Sequence, residues 1–138
     1  MRNHPTGARI PLDGLRVLVV EDDYFIADEI CSTLRENGAE VVGPSPDVER
    51  SLQLIRSKEI DCAVLDINLQ GSFAFGLANE LRQRGTPAIF ATGYDVSVLP
   101  SEFSGCVRLE KPVSLRGLLR AVEAACGHRR ALTSDAQR

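Results

Sequence analysis

The sequence has no Cys-X-X-Cys pair, no long apolar run and no excess of basic residues, and each absence removes a class of function. The four cysteines, Cys31, Cys62, Cys106 and Cys126, are dispersed, and the two histidines, His4 and His128, lie near the chain ends. Such spacing does not assemble a zinc site. Cys62 and Cys106 fall in apolar, strand-like runs and read as small buried hydrophobes, a usage suited to a reducing cytoplasm. No stretch approaches the length of a membrane span, and the opening "MRNHPTGARIPLDG" lacks the apolar core of a signal peptide. The expectation is a cytoplasmic protein with no membrane partner. A formal net charge of -3 leaves no basic footprint for nucleic acid. Arg129, Arg130 and Arg138 read as part of a solvated tail. Internal repeats and low-complexity segments are also missing.

What remains is an ordinary globular composition, 43% hydrophobic and 25% charged over 138 residues, enough for one compact domain. Residues 1–14 are polar, with Pro and Gly, and read as a flexible leader. "LRVLVV", Leu15 to Val20, is a continuous apolar run of the kind found in strands covered on both faces. A helical pattern follows through Ile26, Ile30 and Leu34, stopped by Gly38. "EVVG" is a short second strand. Ser45 before Pro46 reads as a helix N-cap with proline at the first helical position, ahead of the face formed by Val48, Leu52 and Ile55. "CAVLD", Cys62 to Asp66, is a third strand and "NLQGS" a loop. A helix with Leu77 and Leu81 inward is capped by Gly85. "AIFAT", Ala88 to Thr92, is a fourth strand. Asp95 to Gly105 predicts a short or frayed helix, and "CVRLE", Cys106 to Glu110, a fifth strand. Ser114 caps a last helix bearing Leu115, Leu118, Leu119 and Val122 and ended by Gly127. Residues 15–127 thus form the domain and 128–138 a flexible tail. Regular alternation of strand and helix predicts an α/β fold, a mostly parallel sheet with helices on both faces and functional groups beyond the carboxyl ends of the strands.

Those ends are chemically distinctive. Glu21, Asp22 and Asp23 follow the first strand, Asp66 ends the third, Thr92 ends the fourth, and Lys111 with Pro112 follows the fifth. The second strand ends in Gly43 and Pro44, which suits an edge strand away from the site. Clustered carboxylates repel one another unless a cation intervenes. Hard oxygen ligands of this kind suit Mg²⁺, completed by a phosphate oxygen. Lys111 adds a compact positive charge, Thr92 a neutral donor, and the following helices their N-terminal N–H groups. Such a place could receive a phosphoryl group. Taken singly, Asp66 also reads as a turn residue, Lys111 as a solvated turn lysine, and Asp23 as a helix start.

"VLVVEDD", Asp66, "ATG" and "EKP", in this order and spacing, resemble the receiver domain of bacterial two-component response regulators over about Leu15 to Gly127. "FATGYD" is similar to the signature of the FAT GUY subfamily of single-domain response regulators. The resemblance implies a five-stranded, doubly wound, flavodoxin-like sheet of order 2-1-3-4-5. It implies that Asp66 is the phosphoacceptor, supplied by a sensor histidine kinase or phosphotransfer protein. Mg²⁺ would be held by Asp22, Asp66 and the backbone carbonyl of Asn68, with Glu21 acting through water. Lys111 would contact a phosphoryl oxygen, Thr92 would swing to the new phosphate, Gly93 would leave room for it, and the bond before Pro112 would be cis. Asn68 and Tyr94 would flank the path of attacking water and tune the lifetime of the phosphoryl group.

Two positions depart from the family pattern. Arg108 stands where an aromatic is usual and reads as half-exposed on an edge strand, which leaves the usual aromatic switch without its residue. Tyr94 reads equally as a substitute switch element and as an ordinary loop tyrosine. Gln70 replaces a usual proline, so a different and more mobile loop is expected there, as through Asp95 to Gly105. The function implied is a phosphoacceptor signalling protein rather than an enzyme, acting on a downstream protein whose identity, like the oligomeric state, the sequence does not give. The expectation of a single-domain protein rests on the absence of a second domain. The alternatives are a Mg²⁺ phosphatase of the haloacid dehalogenase type, whose aspartyl nucleophile belongs at the first strand, and a receiver-shaped binding module that is never phosphorylated.

Overall fold

The computed structural model describes residues 11–69, 72–93 and 107–136, with 68, 72, 73, 92 and 127–136 described by backbone alone. The elements are β1 (Arg16–Val20), α1 (Tyr24–Glu36), β2 (Glu40–Ser45), α2 (Val48–Ser57), β3 (Cys62–Asp66), β4 (Asn68–Leu69), β5 (Ser72–Phe73), α3 (Phe75–Gln83), β6 (Ala88–Thr92), β7 (Val107–Glu110) and α4 (Leu115–Ala136). Five strands form one sheet of order β2-β1-β3-β6-β7, and each neighbouring pair is parallel. Counting these strands in chain order, this is the 2-1-3-4-5 order that the resemblance implies.

Strand side chains alternate between two cores, as the period of two requires. Val17, Val19, Cys62, Val64 and Ile89 pack with Ile30 and Leu34 of α1 and Leu118 and Val122 of α4. Leu18, Val20, Ala63, Leu65 and Phe90 pack with Ile55 of α2 and Leu77 and Leu81 of α3. The central strands β1 and β3 are therefore covered on both faces, which is why their sequences are unbroken apolar runs. Cys31, Cys62 and Cys126 are buried thiols in the first core. A hydrogen bond with Cys126, reinforced by burial, pushes the Cys62 thiol well up, so it behaves as a small hydrophobe.

Several local expectations are corrected. Pro11 to Gly14 are not a loose leader. Leu12 is fully buried in the first core, and its N–H donates to the Asn37 carbonyl at 2.8 Å. One leucine among polar residues carries no periodicity, so its anchoring does not show in sequence. β2 runs past Gly43 to Ser45, and the Gly43–Pro44 peptide is cis, as is Lys111–Pro112. Pro44 is tolerated because β2 is an edge strand. Gly43 has φ +100°, and a Cβ there would lie 2.9 Å from Ser45 N and 3.1 Å from the Val19 carbonyl oxygen. Only glycine fits this bulge, where pairing shifts from Leu18–Val42 to Val20–Ser45.

Ser45 is not the cap of α2. Asp47 is, accepting from Arg50 N–H at 2.8 Å, and Pro46 lies outside the helix. The Ser45 side chain is buried and its hydroxyl is occupied, 2.7 Å from Ser51 Oγ and donating to the Asp47 carbonyl at 3.2 Å. The expected "NLQGS" loop includes an antiparallel pairing of Asn68–Leu69 with Ser72–Phe73, fastened by the buried Leu69. The last helix continues through Gly127 to Ala136, since one glycine costs a helix only about 1 kcal/mol and good helix formers follow it. Gly38 and Gly85 do end α1 and α3, with φ +98° and +72°, and Ser114 Oγ accepts from Gly117 N–H at 3.1 Å. The expected frayed helix over 95–105, and Cys106, lie outside the described residues.

Leu12→Ala should destabilise the fold by about 2–5 kcal/mol, the cost of an unfilled core leucine. Urea denaturation of the two proteins measures this directly, and a difference below about 0.5 kcal/mol would return the segment to a leader.

Candidate functional site

The sheet order brings the acids together. β1 lies between β2 and β3, with Val20 opposite Leu65, so the residues that follow β1 meet the end of β3. The strand order reverses at this pair, with β2 added on one side of β1 and β3, β6 and β7 on the other, which is where open α/β sheets place their ligands. Carboxylate oxygens of Glu21, Asp22 and Asp66 all lie within 4.8 Å of one another. Glu21 and Asp66 are buried and Asp22 is half-buried. Lys111 enters from beyond β7. Its Nζ lies 3.1 Å from Glu21 Oε1 and 3.2 Å from Asp66 Oδ2.

Local backbone fixes Glu21 and Asp23. The Glu21 N–H donates to the Ser45 carbonyl at 3.0 Å, tying it to the bulged end of β2. The Asp23 N–H donates to Glu21 Oε2 at 3.1 Å. Asp23 itself is the N-cap of α1, accepting from Phe25 and Ile26 N–H at 2.9 and 3.1 Å. The three consecutive acids thus divide their work. Glu21 and Asp22 face the site and Asp23 starts the helix, as expected.

Burial pushes the Glu21 carboxyl up to about 7, with the negative charge of Asp66 adding to the rise; the Asp23 N–H and Lys111 oppose it. Burial alone would lower the Lys111 amine. The hydrogen bond to Glu21 and the charge of Asp66 outweigh burial and raise it, so Lys111 stays protonated. With the acids ionised, three negative charges face one positive charge.

The other expected site residues lie around this centre. Thr92 ends β6, in register with Glu110 and one residue beyond Ala91, which pairs with Asp66. Gly93 is exposed, and a Cβ added there would meet nothing within 4 Å. Asn68 sits two residues past Asp66, in β4. Arg108 is exposed on the edge strand β7 and is not drawn into the cluster. Tyr94 and Gln70 lie outside the described residues. Sequence reasoning did not anticipate the Ser45 carbonyl, a backbone contact that no side-chain pattern reveals. It also passed over Tyr24 and Phe25, both exposed in the first turn of α1.

The profile of the response regulator receiver domain matches residues 17–123. The chain belongs to that family. This receiver domain is 27% identical over 123 residues to the transcriptional regulatory protein PdtaR of Mycobacterium tuberculosis strain H37Rv, a match covering 86% of this chain and 60% of PdtaR. It is similar to the solution structure of SdrG from Sphingomonas melonis Fr1, at 31% identity and TM-score 0.72, covering 80% of this chain and 95% of SdrG. It is also similar to the response regulator PhyR from Brucella abortus, at 25% identity and TM-score 0.79, covering 92% of this chain and 54% of that one. The chain therefore spans about three fifths of PdtaR and about half of PhyR. No helix among the described residues is long and apolar enough to cross a membrane.

The raised Glu21 carboxyl gives a signed pH dependence. Glutamate ordinarily titrates near 4.5, and Glu21 does so near 7 in the folded receiver. Between those values the folded state holds a proton that the unfolded state has released. This group therefore makes stability fall as pH rises through that window, by on the order of 3 kcal/mol in total. Denaturation midpoints in Mg²⁺-free buffer should decline from pH 4.5 to 7, and Glu21→Gln should remove that contribution. The same slope in both proteins would contradict the assignment.

Proposed function

We propose that this receiver domain accepts a phosphoryl group on Asp66, with Mg²⁺, from a sensor histidine kinase or a histidine phosphotransfer protein, and signals through contacts with a downstream protein. The observation that carries this reading is the seating of Lys111 between Glu21 and Asp66 at the topological switch point, beside Asp22.

The donor set fits a hard divalent ion: carboxylates from two adjacent strand ends, close enough to share one cation. Asp22 and Asp66 would hold Mg²⁺, with Glu21 behind them and the carbonyl of Asn68 in reach of the same loop. When bound, the ion supplies positive charge that offsets the crowded carboxylates and polarises the phosphoryl oxygens. The chain's own residues do the rest. An Asp66 carboxylate oxygen forms the new O–P bond as the P–N bond to the donor's imidazole breaks, and the imidazole keeps the electron pair. Lys111 exchanges a carboxylate partner for a phosphoryl oxygen, adding its positive charge to that of the ion. Thr92 reads the product by hydrogen-bonding the phosphate, and the change is passed to a partner surface. Arg108 in place of the usual aromatic means that the signal does not depend on an aromatic at that position.

The phosphatase alternative places an aspartyl nucleophile after the first strand, whereas of the two acids paired with Lys111 the one after β1 is a glutamate, Glu21, and the aspartate is Asp66 of β3. A receiver-shaped module without phosphorylation would not need a lysine paired to that aspartate.

Wild-type protein incubated with acetyl phosphate and Mg²⁺ should gain one phosphoryl group, read by intact-mass spectrometry. Asp66→Asn or removal of Mg²⁺ by chelation should abolish uptake, and Lys111→Ala should slow it at least tenfold with circular dichroism unchanged. Undiminished uptake in Asp66→Asn would overturn the proposal.

A further inference from the structure

Five polar or charged side chains are buried among the described residues: Glu21, Ser45, Ser51, Asp66 and Thr86. Glu21 and Asp66 belong to the acidic cluster. Ser45 and Ser51 form a second buried polar contact, between the end of β2 and the start of α2. Ser51 Oγ lies 2.7 Å from Ser45 Oγ and 2.7 Å from the Asp47 carbonyl oxygen, and Ser45 Oγ lies 3.2 Å from the same carbonyl. Two hydroxyl protons thus serve a closed triangle of three oxygens. The triangle fastens the end of β2 to α2, whose N-cap is Asp47.

Stability does not require that fastening. Replacing both partners of a buried hydrogen bond by apolar groups can be nearly neutral, and two alanines would make such a replacement. What the hydroxyls add is direction. The main chain of β2 is irregular here, because its pairing with β1 shifts between Leu18 and Val20 and Gly43 holds φ +100°. A bulge interrupts the regular ladder and bends its strand, so the aim of the Ser45 carbonyl depends on contacts outside the ladder. That carbonyl accepts the Glu21 N–H at 3.0 Å. Glu21 Oε1 in turn lies 3.1 Å from Lys111 Nζ, and Asp22, the next residue, supplies another carboxylate of the cluster. α2 therefore holds Ser45 by its side chain, and Ser45 holds the Glu21 backbone by its carbonyl. The serines bring no charge to the acids, so their influence is geometric.

Building on the Mg²⁺ reading above, we propose that Ser51 is a positioning residue for the cation site. Its hydroxyl, through Ser45, fixes the backbone at Glu21 and Asp22 and so sets the affinity of the carboxylate cluster for Mg²⁺. Mg²⁺ demands near-ideal ligand geometry, which makes a contact behind the ligands felt at the ion. Ser51 is not a ligand and takes no part in the transfer step.

The experiment reads two quantities on the isotopically labelled full chain by NMR. One is the dissociation constant for Mg²⁺. The other, measured without Mg²⁺, is the scalar coupling across the hydrogen bond from the Glu21 N–H to the Ser45 carbonyl. Ser51→Ala should weaken Mg²⁺ binding by at least about threefold and reduce the coupling. Ser45→Ala deletes the same hydroxyl contact from its other side and should do the same, which keeps the test available if Ser51→Ala does not fold. The double variant should bind no more weakly than the weaker single variant, because one contact is lost in all three. Leu12→Ala, in the core on the other face of the sheet, should keep Mg²⁺ affinity within about twofold despite its lower stability. An unchanged Mg²⁺ affinity or an unchanged coupling in the serine variants overturns the inference and leaves the Mg²⁺ reading intact. A loss of affinity in Leu12→Ala equal to that in Ser51→Ala also overturns it, since general loosening then explains both. No saturable Mg²⁺ response at Asp66 in the wild type removes the Mg²⁺ reading itself, and the inference falls with it.

Discussion

Lys111 lies within hydrogen-bond reach of two carboxylates that arrive from different strands, Glu21 after β1 and Asp66 at the end of β3. Breaking one partner out of such a buried cluster leaves an uncompensated charge, while the intact cluster gains little stability from its own Coulomb attraction. The arrangement therefore makes poor sense as a device for holding the fold together. It makes sense as a site kept short of positive charge. Lys111 balances at most one of the three carboxylates, burial together with the Asp66 charge holds the Glu21 proton to about pH 7, and a divalent cation is the natural complement.

The sheet exists in a form that enforces this crowding. Side chains of β1 and β3 are consumed by the two cores on either face, leaving the strand ends as the place where polar groups emerge together. β2 contributes no side chain to the site, yet its bulged end supplies the Ser45 carbonyl that holds the Glu21 backbone. That contact depends on the tight path through Gly43, where a Cβ would press on Ser45 N and the Val19 carbonyl oxygen. A residue remote from any chemistry thus helps set where an acid points.

Most of this was legible in the sequence because the physics involved is periodic or terminal. Unbroken apolar runs marked β1 and β3, and the acids and lysine stood immediately past strand ends, so the cluster followed once the strands were ordered. What escaped was aperiodic. Leu12 is a lone anchor in a polar segment. Asp47 outcompeted Ser45 as a cap because the serine side chain was already engaged with Ser51. The short β4–β5 pairing depends on Leu69 finding the second core. Gly127 is a weak breaker, outvoted by the residues around it.

The central claim is that Glu21, Asp22, Asp66 and Lys111 act as one cation-demanding unit. The most direct measurement is a Mg²⁺ titration of isotopically labelled protein followed by NMR. The account predicts one saturable site, with the largest changes at residues 21–22, 66–68 and 111. Changes spread over exposed acids such as Glu36 and Glu49, or no saturable response at Asp66 and Lys111, would contradict it.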